Sequence, residues 1–212
     1  IEMKPDDVAF RVNLVTLSGD DGSYADKIMT DYSSDEISSE EAAELIKSIN
    51  ENFGTEAFRF FPGRSYRHCL IWNKGPLDGT LTPPHDILTK KISSYLPCTT
   101  AHKVLSDIMA ASFDLLKDHP VNISRTKRGL NPANSIWIWG QGTKPELPDI
   151  SSVYGLKGSV ISAVDLIFGL GICSGMKPVA VAGATGTLHT DFKGKAMAAI
   201  NEFCNGQDYV YL

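Results

Sequence analysis

The pattern of apolar residues changes near residue 140, and no other property of the chain limits its fold as strongly. Before that point the predicted order is strand, strand, helix, strand, strand, helix, strand. After it the order is strand, helix, strand, helix, strand. Strand pairs mixed with a few helices indicate an antiparallel α+β structure, whereas regular alternation indicates a parallel sheet covered by helices.

The first part contains clear local signals. Ser38-x-x-Glu41 has the form of a capping box, in which each side chain binds the backbone N–H of the other residue. Pro62-Gly63-Arg64 separates two strand-like runs and predicts a hairpin. The predicted strands cover 8–18, 24–31, 56–61, 66–72 and 136–139, and the helices cover 39–53, 85–95 and 101–117. This order predicts an antiparallel α+β sandwich of ferredoxin-like type.

A linker is predicted over residues 140–150, which contain Gly and Pro. Beyond it, strands are expected at 159–163, 178–182 and 209–212, with helices at 163–176 and 191–204. About 60 residues are too few to complete a parallel α/β domain. The chain also starts at Ile1 and ends in a strand-like run, so we expect a piece of a longer protein, with a processed complete chain as the alternative.

Composition excludes several classes of protein. The 212 residues are 42% hydrophobic and 21% charged, which is globular and not disordered composition. The net charge of −5 argues against a nucleic-acid partner bound through a basic surface. The four cysteines form no CxxC pair, and no run of about 20 apolar residues predicts a membrane span. We therefore expect a cytoplasmic protein without a membrane partner.

Three short clusters could bind an anion. Arg67 and His68 lie on the hairpin, where a planar guanidinium suits phosphate or carboxylate. As neighbours on a strand they should point to opposite faces, and charges that protect a sheet edge are the alternative. His85 and Asp86 follow two prolines, with a helix N-cap by Asp86 as the alternative. Arg125 belongs to a cationic run that could instead end a helix.

The other motifs do not indicate a catalytic or ligand-binding site. Trp137 and Trp139 should share one face of a strand, and core packing explains them. The Gly140-Gln141-Gly142 run predicts a tight loop or a close approach of the backbone. No glycine motif has the spacing of a nucleotide-phosphate loop, and no catalytic nucleophile is evident.

The residues resemble a known family across nearly the whole chain. The similar runs are DDVAFRVNLVTL, ISSEEAAELI, FFPGRSYRHCLIW, TPPHDI, PANSIWIWGQG, YGLKGSVISAVDLIFGLGICSGM and VAGATGTLHTDFKGKA. They resemble the archaeal-type 2,3-bisphosphoglycerate-independent phosphoglycerate mutases in the branch common in bacteria. Some members of that branch have been labelled homoserine kinases.

The resemblance implies a fold and a reaction. The family belongs to the alkaline phosphatase superfamily, whose α/β core holds two divalent metals, often manganese, and a serine nucleophile. A substrate-binding domain is inserted into that core. Residues 1–148 would be the inserted domain, and residues 149–212 part of the core. The metals and serine would lie outside this chain, which would bind no metal and be inactive alone.

The resemblance also implies site residues. The expected activity interconverts 3-phosphoglycerate and 2-phosphoglycerate through a phosphoserine, and Lys157 would approach the transferring phosphoryl group. The residues expected to bind substrate are Arg11, Asn13, Arg67, His68, His85, Asp86 and Arg125. Alternatives are a phosphatase or phosphotransferase of the same superfamily acting on another small substrate, or a non-catalytic module that binds phosphorylated acids.

Overall fold

A computed structural model describes residues 1–19, 22–186 and 188–212. The chain divides into two compact units, residues 1–144 and 145–212. The first contains an antiparallel sheet and the second a parallel sheet. Within the described residues, no helix is both long and apolar enough to cross a bilayer.

The elements of the first unit largely follow the predicted pattern. They are β1 (Asp7–Ser18), β2 (Ile28–Asp31), α1 (Ser39–Phe53), β3 (Phe58–Phe61), β4 (Arg67–Asn73), α2 (Lys103–Leu116), α3 (Pro120–Lys127) and β5 (Ser135–Gly142). Short 3-10 turns lie at Tyr24–Asp26, Pro84–Ile87, Ile92–Tyr95 and Thr100–His102. The second predicted strand is shorter than expected, since a 3-10 turn replaces its first residues.

The central strand is β1, which lies between β4 and β5 and is antiparallel to both. The β3 strand extends the sheet beyond β4, and β2 pairs with the last residues of β1. The register places Arg11 opposite Cys69 and Trp139, and Val12 opposite His68 and Ile138. Because side chains alternate along a strand, these two sets lie on opposite faces of the sheet.

The core lies between the sheet and its helices. The helix α1 buries four apolar side chains on one face, as the sequence predicts; they are Ala42, Leu45, Ile46 and Ile49. Each large buried aliphatic side chain contributes about 1.5–3 kcal/mol relative to exposure. At the outer edge of β5, Ser112 of α2 accepts a hydrogen bond from the Ile136 N–H (3.0 Å). This contact satisfies a backbone donor that an edge strand would otherwise expose.

Only one of the two hydrogen bonds of the predicted capping box is present. The Ser38 hydroxyl accepts a hydrogen bond from the Glu41 N–H (3.2 Å) and so caps α1. The Glu41 carboxylate does not complete the reciprocal bond, because it binds Arg125 and Arg128. A distant cationic partner therefore replaces the local one.

The prediction of a helix over residues 85–95 is wrong. Two 3-10 turns, Pro84–Ile87 and Ile92–Tyr95, replace it. Between them the chain pairs with β2, where the Thr89 N–H donates to the Met29 carbonyl (2.8 Å). A backbone that bonds to a neighbouring strand cannot also bond within a helix.

The second unit contains α4 (Ile150–Tyr154), β6 (Gly158–Ile161), α5 (Asp165–Cys173), β7 (Lys177–Val179), α6 (Phe192–Cys204) and β8 (Tyr209–Tyr211). The predicted alternation is present, and α4 is an addition. The parallel sheet has the order β7-β6-β8. In α5, a Cβ on Gly171 would lie 2.5 Å from Val160 Cγ1. Glycine therefore allows α5 to pack closely on β6.

Candidate functional site

One face of the antiparallel sheet brings several predicted site residues together. Asn13 lies opposite Arg67 of β4, and Arg11 lies opposite Trp139 of β5. Directly opposed residues of antiparallel strands point to the same side. Arg11, Asn13, Arg67 and Trp139 therefore share the face that we call the arginine face.

Each exposed arginine of this face lies against an aromatic ring. The Arg11 guanidinium carbon is 4.9 Å from the ring centre of Trp139, and that of Arg67 is 4.1 Å from the ring centre of Tyr66. Such stacking holds a guanidinium plane while leaving its N–H groups at the edge. Among the described residues, no hydrogen-bond acceptor or carboxylate binds the side chain of Arg11 or Arg67.

Three other arginines differ in this respect. Arg59 binds Asp7 (2.7 Å), Arg125 binds Glu41 (2.6 Å), and Arg128 also binds Glu41. These three cations already have internal anions. The arginine face thus offers donors that an external anion could use.

The turn at Pro84–Ile87 places His85 beside the arginine face. The His85 ring lies perpendicular to Trp139, with 5.4 Å between ring centres, and to Tyr32 at 6.0 Å. The nearest nitrogen–oxygen distance between His85 and Asp86 is 3.8 Å, and both side chains are about half exposed. Asp86 lies within the turn, and the residue preceding the turn, Pro83, makes no side-chain cap. The N-cap alternative for Asp86 is therefore wrong.

Asn13 is buried, with 4% of its surface exposed. Its amide nitrogen donates to the Tyr32 carbonyl (3.0 Å), and its amide oxygen accepts from the Trp139 indole N–H (2.9 Å). Both ends of the amide thus have protein partners. Asn13 is therefore a buried member of the arginine face that links two aromatic residues.

Sequence reasoning missed three aromatic residues of this site. The sequence pattern attributes Trp139 to core packing and assigns no role to Tyr66. Tyr32 gave no signal, although its ring lies 5.7 Å from Tyr66. The alternation of Trp137 and Trp139 beside Gly140 was the signal that could have identified one of them.

His68 lies on the opposite face from Arg67, as adjacent strand residues should. It is 7% exposed, and its Nδ1 accepts a hydrogen bond from the Gly63 N–H (3.1 Å). Burial lowers the pKa of His68 to about 3, so the imidazole is neutral near pH 7. Its Nε2 has no hydrogen-bond partner among the described residues. The structure therefore does not bring His68 together with Arg67.

Arg125 is also separate from the arginine face. It is 2% exposed, and its guanidinium donates to the Ser34 carbonyl (2.6 Å), the Asn131 carbonyl (2.9 Å) and Glu41 (2.6 Å). These contacts connect α3 with the start of α1. Because its donors face inward, this geometry does not favour the predicted substrate contact.

Lys157 belongs to the second unit and precedes β6. Its N–H donates to an Asp208 carboxylate oxygen (3.0 Å), and its carbonyl accepts from the Asp208 N–H (2.9 Å). This is the amino end of the parallel strands, whereas open α/β sheets bind ligands at the carboxyl ends. The catalytic role of Lys157 stays a prediction.

A shallow cavity of about 230 Å³ adjoins the arginine face. It is lined by residues of β1, β4 and the end of β5, among them Arg11, Cys69 and Gly140. Gly140 has φ +61°, and a Cβ there would lie 3.2 Å from Arg11 Cδ. The predicted close backbone approach is present, and it allows the Arg11 side chain to lie across β5.

Comparisons with known proteins agree with this architecture. The family model for 2,3-bisphosphoglycerate-independent phosphoglycerate mutase matches residues 1–122. A relative of that name from Methanothrix thermoacetophila is 47% identical over 206 residues, which is 97% of this chain and 50% of the relative. The chain spans about half the length of the curated relatives it matches.

Two solved structures share the fold. A protein of Pyrococcus horikoshii has a TM-score of 0.68 and 23% identity, covering all of this chain and 48% of that one. A cofactor-independent phosphoglycerate mutase from Thermoplasma acidophilum has a TM-score of 0.55 and 22% identity, covering all of this chain and 55% of that one. With the family model matching more than half of its residues, the chain belongs to the 2,3-bisphosphoglycerate-independent phosphoglycerate mutase family.

Proposed function

We propose that the full-length protein is a cofactor-independent phosphoglycerate mutase and that this chain supplies its substrate-binding domain. The full-length protein would interconvert 3-phosphoglycerate and 2-phosphoglycerate through a phosphoserine. The observation that carries the proposal is the pair Arg11 and Arg67, which share one face and have no anionic partner among the described residues. Guanidinium groups suit both the phosphate and the carboxylate of this substrate.

The topology of each unit supports the proposed domain roles. Without β2, the first unit has the order β5-β1-β4-β3 and the connections strand, helix, strand, strand, helix, strand. This supports a ferredoxin-like inserted domain, for which we propose residues 1–148. Its compact boundary lies at residues 144 and 145.

We propose residues 149–212 as part of an alkaline-phosphatase-like core. The three parallel strands leave large apolar side chains of both flanking helices exposed; they include Leu166, Leu170, Ile172, Phe192, Ile200 and Phe203. Exposed apolar surface of this extent is typical of a face that packs against further structure. This supports a larger α/β domain in the full-length protein.

The arginine face suggests how substrate binds. Arg11 and Arg67 donate to the phosphate and carboxylate oxygens, while the aromatic rings hold both guanidinium planes. His85 adds a donor at the edge of the face, and the Asp86 carboxylate, 3.8 Å from its ring nitrogen, is a charged neighbour of that ring. Asn13 contributes through its links to Tyr32 and Trp139. Arg125 and His68 are not part of this proposed contact set.

The described residues contain no group of three or more His, Cys, Asp or Glu side chains arranged to hold a metal. We propose that two divalent cations, manganese in the first instance, bind elsewhere in the full-length protein. Such ions polarise phosphoryl oxygens and lower the pKa of a serine nucleophile. A cytoplasmic location stays a prediction.

The test uses the full-length protein with Mn²⁺, without 2,3-bisphosphoglycerate, and follows conversion of 3-phosphoglycerate to 2-phosphoglycerate. We expect turnover in the wild type and a large rise in KM for Arg11→Ala and Arg67→Ala. Arg64→Ala, on the same hairpin, is the matched control and should leave KM within about twofold, as expected for a surface substitution. Absence of turnover in protein shown to be loaded with metal would contradict the proposal.

The same assay separates the alternatives. Release of inorganic phosphate without isomerisation would indicate a phosphatase or phosphotransferase of the superfamily. For Lys157, the proposed catalytic role predicts that Lys157→Met lowers kcat with little change in KM, while exposed Lys193→Met changes neither. Equal kinetics in the two variants would exclude that role.

A further inference from the structure

Trp139 contacts three residues that the sequence singled out, two of them on β1 and one in the turn at Pro84–Ile87. Its ring lies against the Arg11 guanidinium, its N–H donates to Asn13, and its ring is perpendicular to that of His85. We infer that Trp139 is the positioning residue of the arginine face, acting through Arg11 and Asn13. The inference rests on the proposed function and names a determinant of substrate affinity within that site.

The first step concerns the Asn13 amide. Because the Trp139 N–H binds the amide oxygen, the amide nitrogen must point the other way, toward the Tyr32 carbonyl. A buried amide that lost one partner would incur a desolvation cost or rotate. The indole N–H therefore sets the direction of the Asn13 amide and, through it, the position of Tyr32.

The second step concerns Arg11. Its guanidinium lies over the Trp139 ring, and its Cδ lies beside Gly140, where a Cβ would come within 3.2 Å of that atom. The ring restricts the guanidinium, and the absence of a side chain at residue 140 leaves the stem room to lie across β5. Holding a long side chain in advance lowers the entropy that ligand binding must otherwise remove.

The third step concerns the chain of contacts that connects Trp139 with Arg67. The ring of Tyr32 contacts the rings of both Tyr66 and His85, and the ring of Tyr66 contacts the Arg67 guanidinium. The path from Trp139 through Asn13 and Tyr32 thus reaches the second arginine as well as the first. A change at the indole should affect both arginines, although it directly contacts only Arg11.

The experiment compares Trp139→Phe with Trp72→Phe in the full-length protein. Phenylalanine removes the N–H and weakens the cation–π contact but keeps an aromatic ring. Trp72 is a matched control because it lies on the opposite face, packed against Phe10 and Phe58. We expect kcat/KM of Trp139→Phe to fall by about tenfold, mainly through KM, the size expected from one lost buried hydrogen bond and weaker stacking.

A double-mutant cycle tests the route. If Trp139 acts through Asn13, the combined effect of Trp139→Phe and Asn13→Ala on KM should be smaller than the product of the single effects. If the two single effects on KM multiply in the double variant, the route through Asn13 is overturned. Kinetics of Trp139→Phe equal to those of Trp72→Phe would overturn the whole.

A readout without substrate separates this inference from the proposed function. Exchange of the Asn13 side-chain amide protons with solvent, followed by NMR, should be slow in the wild type and at least tenfold faster in Trp139→Phe. Trp72→Phe should leave it unchanged. Unchanged exchange in Trp139→Phe would overturn the inference even in an active mutase, whereas an inactive wild type with the expected exchange would contradict only the proposed function.

Discussion

Arg125 and Glu41 lie 84 residues apart in the chain, and their side chains meet at 2.6 Å. The same guanidinium binds the carbonyl of Ser34, which begins three consecutive residues with positive φ, Ser34, Asp35 and Glu36. Such left-handed conformations are unfavourable for residues other than glycine. The Arg125 contact therefore holds a strained turn that follows directly on Tyr32 and Ser33.

The first prediction concerns this ion pair. In Arg125→Met, Glu41 keeps Arg128, but the Ser34 and Asn131 carbonyls lose their donor, so the free energy of unfolding should fall by about 2–3 kcal/mol, as for charged hydrogen bonds lost from buried acceptors. Arg128→Met removes the exposed partner of the same carboxylate and should cost at most about 1 kcal/mol. Denaturant unfolding of both variants checks the difference, and equal losses would contradict it.

The second prediction concerns pH and His68. Its folded pKa of about 3 lies below the ordinary value because burial disfavours the charged imidazole. At pH values between the folded and unfolded pKa of His68, the unfolded chain binds a proton on this imidazole and the folded chain does not. The free energy of unfolding is therefore unaffected by His68 above about pH 6.5 and decreases as pH falls toward 3. The slope from this group is at most about 1.4 kcal/mol per pH unit.

Urea unfolding of the wild type and His68→Gln between pH 7.5 and 5 measures this contribution. The wild type should lose stability faster than the variant on acidification, since other groups titrate equally in both proteins. Parallel curves would show that His68 titrates normally in the folded state.

The third prediction separates charge from shape on the arginine face. Arg11→Lys keeps the positive charge but loses the planar group that stacks on Trp139. KM for 3-phosphoglycerate should rise by about five- to tenfold, as expected from lost stacking and a lost bidentate contact. Arg64→Lys makes the same exchange at an exposed position of the same hairpin and should have little effect. A normal KM in Arg11→Lys would show that charge alone suffices.

The fourth prediction concerns the second unit. Hydrogen bonds from Ser159 (2.6 Å) and Lys177 (2.9 Å) lower the pKa of the buried Glu202 carboxyl. Glu202→Gln should lower Tm by a few degrees at pH 7, while the exposed Glu146→Gln should not. Because the folded pKa is depressed, this stabilisation is present above the usual carboxyl pKa and is lost as pH falls through the lowered value. Thermal unfolding at pH 7 and pH 3 checks that the difference shrinks in acid.

Local chemistry predicted several parts of the structure. The Ser38 cap of α1, the hairpin at Pro62-Gly63 and the change of pattern near residue 140 follow from residues that are neighbours in sequence. The opposite orientation of Arg67 and His68 also follows, because alternation is a property of any extended strand. The prediction of a helix over 85–95 is wrong because the same backbone groups form hydrogen bonds with β2.

The sequence by itself determined the two patterns of strands and helices, the helix cap and the face on which each strand residue lies, because these depend on backbone geometry over a few residues. Only the tertiary structure decided which cations remain available to a ligand. Arg125 resembled a ligand-binding residue in sequence, yet Glu41 binds it, whereas Arg11 and Arg67 meet aromatic rings. Pairing between distant residues depends on how the whole chain packs, and local spacing does not encode it.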